Sequence, residues 1–246
     1  MVELEEQVMR VHYLLHNFFV RPAEVDTWVK KNSHSVTQTL LYENDPFPGL
    51  NDFDFLIIFG GTMGVYEGEN YSWMKPEKKF VEKVIKNKKA VFGICMGAQL
   101  LADVLGGKVY KNSHKEIGWH EVEMKPDAQD SSIFGNLPER FPAVHWHGDL
   151  FEVPDSCFSI ASSIITPNQA FEYNKITAAT QFHPEYNLFS LQESIQYSPE
   201  DVGSGPYAQT EQEILSGAHQ LPAMHNILFS ILDNISKAAK INSLGR

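Results

Sequence analysis

Apolar residues recur along the first hundred positions in two rhythms. Runs suited to strands fall at 10–15, 36–42, 54–59 and 90–94, and segments with apolar positions at helical spacing separate them. The run from Phe55 to Phe59 is continuously apolar, which marks a parallel strand covered on both faces. One helix is predicted over 22–31, with Pro22 near its first turn. A second is predicted over 73–87, where Phe80, Val81, Val84 and Ile85 share a face. A third covers 96–105 and is closed by Gly106 and Gly107. Residues 44–49 are rich in turn formers and interrupt the rhythm. Strand and helix in alternation predict an α/β domain with a parallel sheet.

Beyond residue 108 the rhythm changes. Short strands are predicted at 109–110, 119–124, 143–146, 158–161, 169–173 and 177–182, with few helical segments between them. Part of this region is therefore expected to pair antiparallel, as an edge or subsheet. Residues 187–220 are polar, with Gly203-Ser204-Gly205-Pro206 at their middle, and are expected to be a variable insertion: a lid, a partner surface or a mobile loop. Met224, Ile227, Leu228, Ile231, Leu232 and Ile235 then mark an amphipathic helix over 221–240, expected to dock on the sheet. No repeat is present, and one domain spanning 1–246 is expected, with a core at about 10–186.

A length of 246 residues with 43% hydrophobic content suits one sizeable core. No apolar run approaches the length needed to span a bilayer. The acidic start, Met1 to Glu6, is unlike a signal peptide. Two cysteines, Cys95 and Cys157, are too few for a disulfide framework. A cytoplasmic, reduced protein is expected. A net charge of −11 argues against a general nucleic-acid binder. The lysines from Lys75 to Lys89 break that trend, and a solvated helix face accounts for them better than a phosphate patch.

The chemistry concentrates at Gly93-Ile94-Cys95-Met96-Gly97. A strand ends, a sharp turn places Cys95 at its tip, and a helix begins. Small residues two before and two after the tip are the steric requirement of a nucleophile elbow, here with Cys in place of Ser. A thiol at a helix N-terminus is also favoured as thiolate. Such a nucleophile needs a base, and the base an orienting group. His183 falls at a strand end before Pro184, and Glu185, two residues on, can curl back to hold its imidazole. The candidate catalytic residues are Cys95, His183 and Glu185. The backbone N–H of Met96, next after the nucleophile, is placed to stabilise an oxyanion. The glycines at 60, 61 and 64 form no phosphate loop, because no helix opens after them and no Gly-Lys-Ser/Thr follows; an oxyanion loop or a plain tight turn remains. His145 and His147 share one strand face and could ligate a metal with His114 or His120. No Cys, Asp or Glu completes a recognisable spacing, so no metal and no cofactor are expected. His147 is also an alternative base.

Gly93-Ile94-Cys95-Met96-Gly97-Ala98-Gln99 together with Gln181-Phe182-His183-Pro184-Glu185 resembles the class I glutamine amidotransferase family, in particular the stand-alone group similar to the glutaminase domain of GMP synthetase. The segments at 59–66, 115–119 and 145–149 agree, in order, from about Arg10 to about Tyr186. The resemblance implies a flavodoxin-like fold: a mostly parallel central sheet with helices on both faces and a small antiparallel subsheet. It implies that a second oxyanion donor comes from near Gly61, that Gln99 touches the substrate, and that Trp146, Gly148 and Asp149 surround its α-amino and α-carboxylate ends. Thr62 and Gly64 depart from the family's usual Pro and Ser, which leaves open which amide faces inward.

Three readings follow. The first is a glutaminase-type enzyme that releases ammonia from glutamine, either standing alone or supplying a synthase partner subunit; no P-loop or nucleotide-activating segment is present in the chain. The second is a γ-glutamyl peptidase or hydrolase, which forms the same thioester but expels a larger amine. The third is a non-catalytic binding or regulatory protein that retains the fold. None calls for nucleic acid or membrane as a partner.

Overall fold

The computed structural model describes residues 8–244; the acidic segment at 1–6 lies outside the described residues. The chain alternates β1 (Arg10–Leu15), α1 (Glu24–Lys31), β2 (Ser35–Leu40), β3 (Phe55–Ile58), α2 (Met74–Lys86), β4 (Ala90–Ile94) and α3 (Met96–Val104). Five strands follow in close succession: β5 (Val109–Met124), β6 (Arg140–Phe151), β7 (Phe158–Ser162), β8 (Ala170–Tyr173) and β9 (Thr177–Thr180). The helices α4 (Leu188–Tyr197), α5 (Glu211–Ser216) and α6 (Leu221–Leu244) complete it.

Among the described residues, nine strands join one sheet in the order β2-β1-β3-β4-β9-β8-β7-β5-β6. The strands from β2 to β9 in that order pair in parallel. The remaining pairings are antiparallel. The parallel half has the doubly-wound order in which sites form at the carboxyl ends of the strands. The α/β class, the parallel centre and the antiparallel extension all agree with the sequence pattern.

Alternation within the central strands explains the two cores. Phe55, Ile57 and Phe59 pack with Trp28 of α1 and with Leu228 and Ile231 of α6. Leu56 and Ile58 face the opposite way and pack with Val81 and Val84 of α2 and Leu100 of α3. A strand covered on both sides has no polar face to show, which is why its sequence is continuously apolar.

Two expected strand boundaries are corrected, and a third region holds elements its polarity did not show. The strands foreseen at 109–110 and 119–124 are one strand, β5, paired along β6 with a register break between Lys111 and Glu116. The intervening residues 111–115 are mostly exposed, so no apolar alternation reveals them. The strand foreseen to residue 42 ends at Leu40 and passes into a short 3-10 turn over Leu41–Glu43. Residues 187–220, read as polar insertion, hold two helices. Asn187 caps α4 by accepting from the Ser190 amide, and Thr210 with Glu213 forms a capping box on α5.

Candidate active site

Four strand ends meet along one edge of the sheet. β1 delivers His16, β3 delivers Gly60 and Gly61, β4 delivers Cys95, and β9 leads through Gln181 to His183. Cys95 sits between β4 and α3 at φ 53°, ψ −109°, a region costly for a residue with a side chain. Its amide donates to Thr180 O at 2.8 Å. The flanking glycines are required by space. A Cβ on Gly97 would stand 2.2 Å from Ile58 O, and one on Gly93 would stand 2.6 Å from Gly97 O. Cys95 Sγ faces Trp146 O and accepts from Gln181 Nε2, each at 3.7 Å.

His183 is held by backbone and side chain together. Its amide donates to Val144 O at 2.8 Å, tying the exit of β9 to β6. Its Nδ1 lies 2.7 Å from Glu185 Oε1. A carboxylate there fixes the proton on Nδ1 and turns Nε2 outward. Cys95 lies near enough to His183 for its charge to act on the imidazole. Burial opposes a charged imidazole at this position. Tyr186, Glu185 and Cys95 outweigh it, and His183 is held well above the usual histidine range. A Cβ on Gly60 would lie 3.3 Å from His183 Cε1 and 3.6 Å from Cys95 Cβ, so the loop, the thiol and the imidazole converge on one point.

Two cavities open at that point. The larger, about 450 Å³, is lined by Gly61, Met96, Gln99, Trp146, Gly148 and Asp149 beside Cys95. The smaller, about 60 Å³, lies on the His183 side with Phe19 and Tyr186. Glu185 stands behind His183, buried. All nine sequence-predicted residues are thus gathered at one place. Gln99 is turned partly inward: its Nε2 donates to Gln181 Oε1 at 3.1 Å and to Asp149 O at 3.3 Å. The Asp149 carboxylate accepts from Tyr66 Oη at 2.8 Å. Burial and that carboxylate push the Tyr66 phenol up to about 12. Trp146 Nε1 donates to Asp201 Oδ2 at 3.2 Å, and Lys115 pairs with Asp201. The segment after α4 therefore closes one wall of the larger cavity.

The histidine pair has a different partner from those foreseen. His114 is exposed beside Tyr207, and His120 donates from Nε2 to Ile117 O at 3.2 Å while packing on His145. The carboxylate that spacing did not reveal is Glu116 of β5, whose Oε2 lies 3.1 Å from His147 Nε2 and 3.8 Å from His145 Nδ1. These three buried side chains have the ligand types of a cation site. The donor set favours a proton instead. Glu116 Oε2 already accepts from Thr166 Oγ1 at 2.7 Å and Gln169 Nε2 at 2.9 Å, and Oε1 accepts from Ser163 Oγ at 2.5 Å. A cation there would compete with those hydrogens for the same lone pairs. Burial favours the neutral acid, but His147, His145 and Ser163 outweigh it and hold Glu116 well below the carboxylate range. His147 Nδ1 donates to Asp149 O at 3.1 Å. With both ring nitrogens engaged away from Cys95, His147 is a support for the β6 wall and is poorly placed as an alternative base.

The residues that sequence reading missed are Gln181, Tyr66, Asp201, Tyr186 and the pair His16 and Glu77. Gln181 had a signal: it stands two before His183 in a strand-like run, on the same side. The others are separated from their partners by long stretches of chain and carry no local pattern.

Residues 10–196 match the family model described as Glutamine amidotransferase class-I. Among curated proteins, the chain is 24% identical over 238 residues to a glutamine amidotransferase-like protein, YfeJ, of Salmonella typhimurium, covering 94% of this chain and 98% of that one. It is 31% identical over 169 residues to the glutamine-hydrolyzing GMP synthase of Bacillus velezensis, covering 67% of this chain and 29% of the synthase. The chain thus spans less than a third of that enzyme. Among solved structures, a glutamine amidotransferase from Thermotoga maritima superposes with a TM-score of 0.86 at 26% identity, over 94% of this chain and 99% of the other.

Proposed function

The chain belongs to the class I glutamine amidotransferase family, and from that premise we propose that it hydrolyses the γ-carboxamide of glutamine through a thioester on Cys95. The observation that carries the reading is the convergence of a strained elbow thiol, the His183–Glu185 pair and the Gly60–Gly61 loop at the junction of two cavities. The Cys95 thiolate attacks the amide carbon, and the carbonyl oxygen takes the negative charge. Main-chain N–H groups of Met96 and Gly61 stabilise that oxyanion. The imidazolium of His183 protonates the departing nitrogen, the C–N bond breaks and ammonia leaves. Water then gives a proton to His183 and attacks the thioester, releasing glutamate and regenerating the thiolate.

The larger cavity receives the glutamyl part, with Gln99, Trp146, Gly148 and Asp149 at its α-amino and α-carboxylate ends. The leaving nitrogen faces the His183 side. That cavity, about 60 Å³, accommodates only a few waters' worth of matter. Ammonia fits it, and glutamine is the amide that the GMP synthase relatives are named for hydrolysing. A synthase partner subunit would consume the ammonia, as the GMP synthase relatives are named for glutamine hydrolysis joined to a synthesis.

The test is intact-protein mass spectrometry after incubation with 6-diazo-5-oxo-L-norleucine, a glutamine analogue that alkylates an attacking thiol. One adduct on the parent and none on Cys95→Ala is the expected result, with glutamate release from glutamine likewise lost in the variant. An adduct on both proteins, or steady glutamate release by the variant, would sink the mechanism.

A further inference from the structure

A fully buried pair stands behind the Gly60–Gly61 peptide, and the reaction above makes no direct use of it. His16, the first residue beyond β1, places Nδ1 3.2 Å from Gly60 O and Nε2 2.8 Å from Glu77 Oε1 of α2. Neither side chain has any solvent exposure. The Trp73 ring flanks the imidazole at 5.3 Å between centroids. A carbonyl oxygen only accepts, so His16 Nδ1 carries a hydrogen and donates it to Gly60 O.

That one bond sets a direction. All peptide bonds of the described residues are trans. Across a trans peptide, the C=O of one residue and the N–H of the next point opposite ways. With Gly60 O held toward His16, the Gly61 N–H points away from it. Gly61 lines both cavities beside Cys95. Its N–H makes no hydrogen bond to any described residue. The loop beyond is tied separately, by Asn17 Nδ2 to Thr62 Oγ1 at 3.1 Å and by the Gly64 amide to Glu67 Oε2 at 2.6 Å.

We propose that His16, braced by Glu77, is a positioning residue that fixes the Gly60–Gly61 peptide with the Gly61 N–H turned to the oxyanion, so that the hole is formed before substrate arrives. The inference rests on the thioester reading for its catalytic consequence; the orientation of the peptide does not. A pair of glycines offers little resistance to a peptide flip. The flipped form would present a carbonyl oxygen to the developing negative charge. The buried imidazole makes that flip costly, because it would leave the His16 N–H without a partner.

The experiment compares the parent with His16→Leu, which removes the donor, and His16→Asn, whose amide can replace Nδ1–H. Three readouts are taken: kcat and KM for glutamine, the rate of Cys95 alkylation by iodoacetamide, and hydrogen exchange across residues 59–64. For His16→Leu the expected results are a kcat loss on the order of 10²- to 10³-fold, as for removal of one oxyanion donor, a KM within a few-fold, near-parental alkylation, and faster exchange of the loop. His16→Asn recovers most of kcat and of the protection. Unchanged kcat with unchanged exchange in a folded His16→Leu protein overturns the proposal. Should His16→Leu fail to fold, Glu77→Gln takes its place, with a smaller loss in the same readouts expected and parental values overturning. If the parent itself hydrolyses no glutamine, the thioester reading fails, and loop exchange alone decides whether His16 holds the peptide.

Discussion

Gln181 is the residue whose contact the quoted motif does not announce. Its Nε2 donates to Cys95 Sγ while its Oε1 accepts from Gln99. A donor aimed at sulfur favours the charged form over the neutral one. Gln99 in turn is pinned by Asp149 O, which also accepts from His147 Nδ1. The chain of bonds therefore runs from Glu116 through His147, Asp149, Gln99 and Gln181 to the nucleophile. Replacing Gln181 by Leu removes the last donor at similar volume. The rate of iodoacetamide alkylation at fixed pH should fall roughly tenfold, for a hydrogen bond to a charged group of roughly 1.5 kcal/mol. A rate equal to the parent's would show that the Gln181 amide does not act on the thiolate.

At the scale of the element, the elbow depends on close approach of backbones, and different glycines carry different loads. Gly97 lies against β3, where a methyl group would meet the Ile58 carbonyl. That oxygen belongs to a central strand and has nowhere to move. Gly97→Ala should cost on the order of 3 kcal/mol or more, at the upper end of overpacking, with Cys95 displaced and analogue labelling lost. Gly106, at the close of α3, has φ +97° but open space around it. Gly106→Ala should cost only about 1 kcal/mol, the penalty for a left-handed non-glycine residue, and leave labelling intact. Urea unfolding of the two variants tests the contrast. Equal losses would mean that close packing at the elbow is not what demands glycine there.

For the molecule as a whole, the parallel strands hold buried polar groups whose protonation couples to folding. His12 of β1 is buried, with Nδ1 2.7 Å from Thr37 Oγ1 and Nε2 3.0 Å from Thr39 Oγ1 of β2. Burial lowers its pKa from 6.5 to about 4, against a small opposing pull from Asp52. The folded state therefore takes up a proton later than the unfolded chain as the pH falls. The stability this neutral imidazole provides is complete above 6.5 and is lost progressively down to about 4. The full shift corresponds to roughly 3 kcal/mol. Denaturant unfolding at pH 7 and at pH 4 should show a larger acid loss for the parent than for His12→Gln, by about that amount. Equal acid losses would place the titrating burden elsewhere.

Read from sequence alone, the chain declares its local order. The continuous apolar run at 55–59 is set by two-sided coverage, the helical spacing in 73–87 by one covered face, and Gly93-Ile94-Cys95-Met96-Gly97 by the sterics of a turn. His183 and Glu185 are legible because two residues suffice to bring a carboxylate back to its imidazole. What only the tertiary structure decides is the polar scaffolding behind those groups. His16 meets Glu77 across 61 residues and Gln99 meets Gln181 across 82. Glu116 finds His147 only because β5 pairs with β6. Hydrophobic burial is nearly non-directional and leaves a period in the chain, whereas a buried hydrogen bond is a single directed contact. It leaves no repeat to read, and its partner is known only once the strands have been placed.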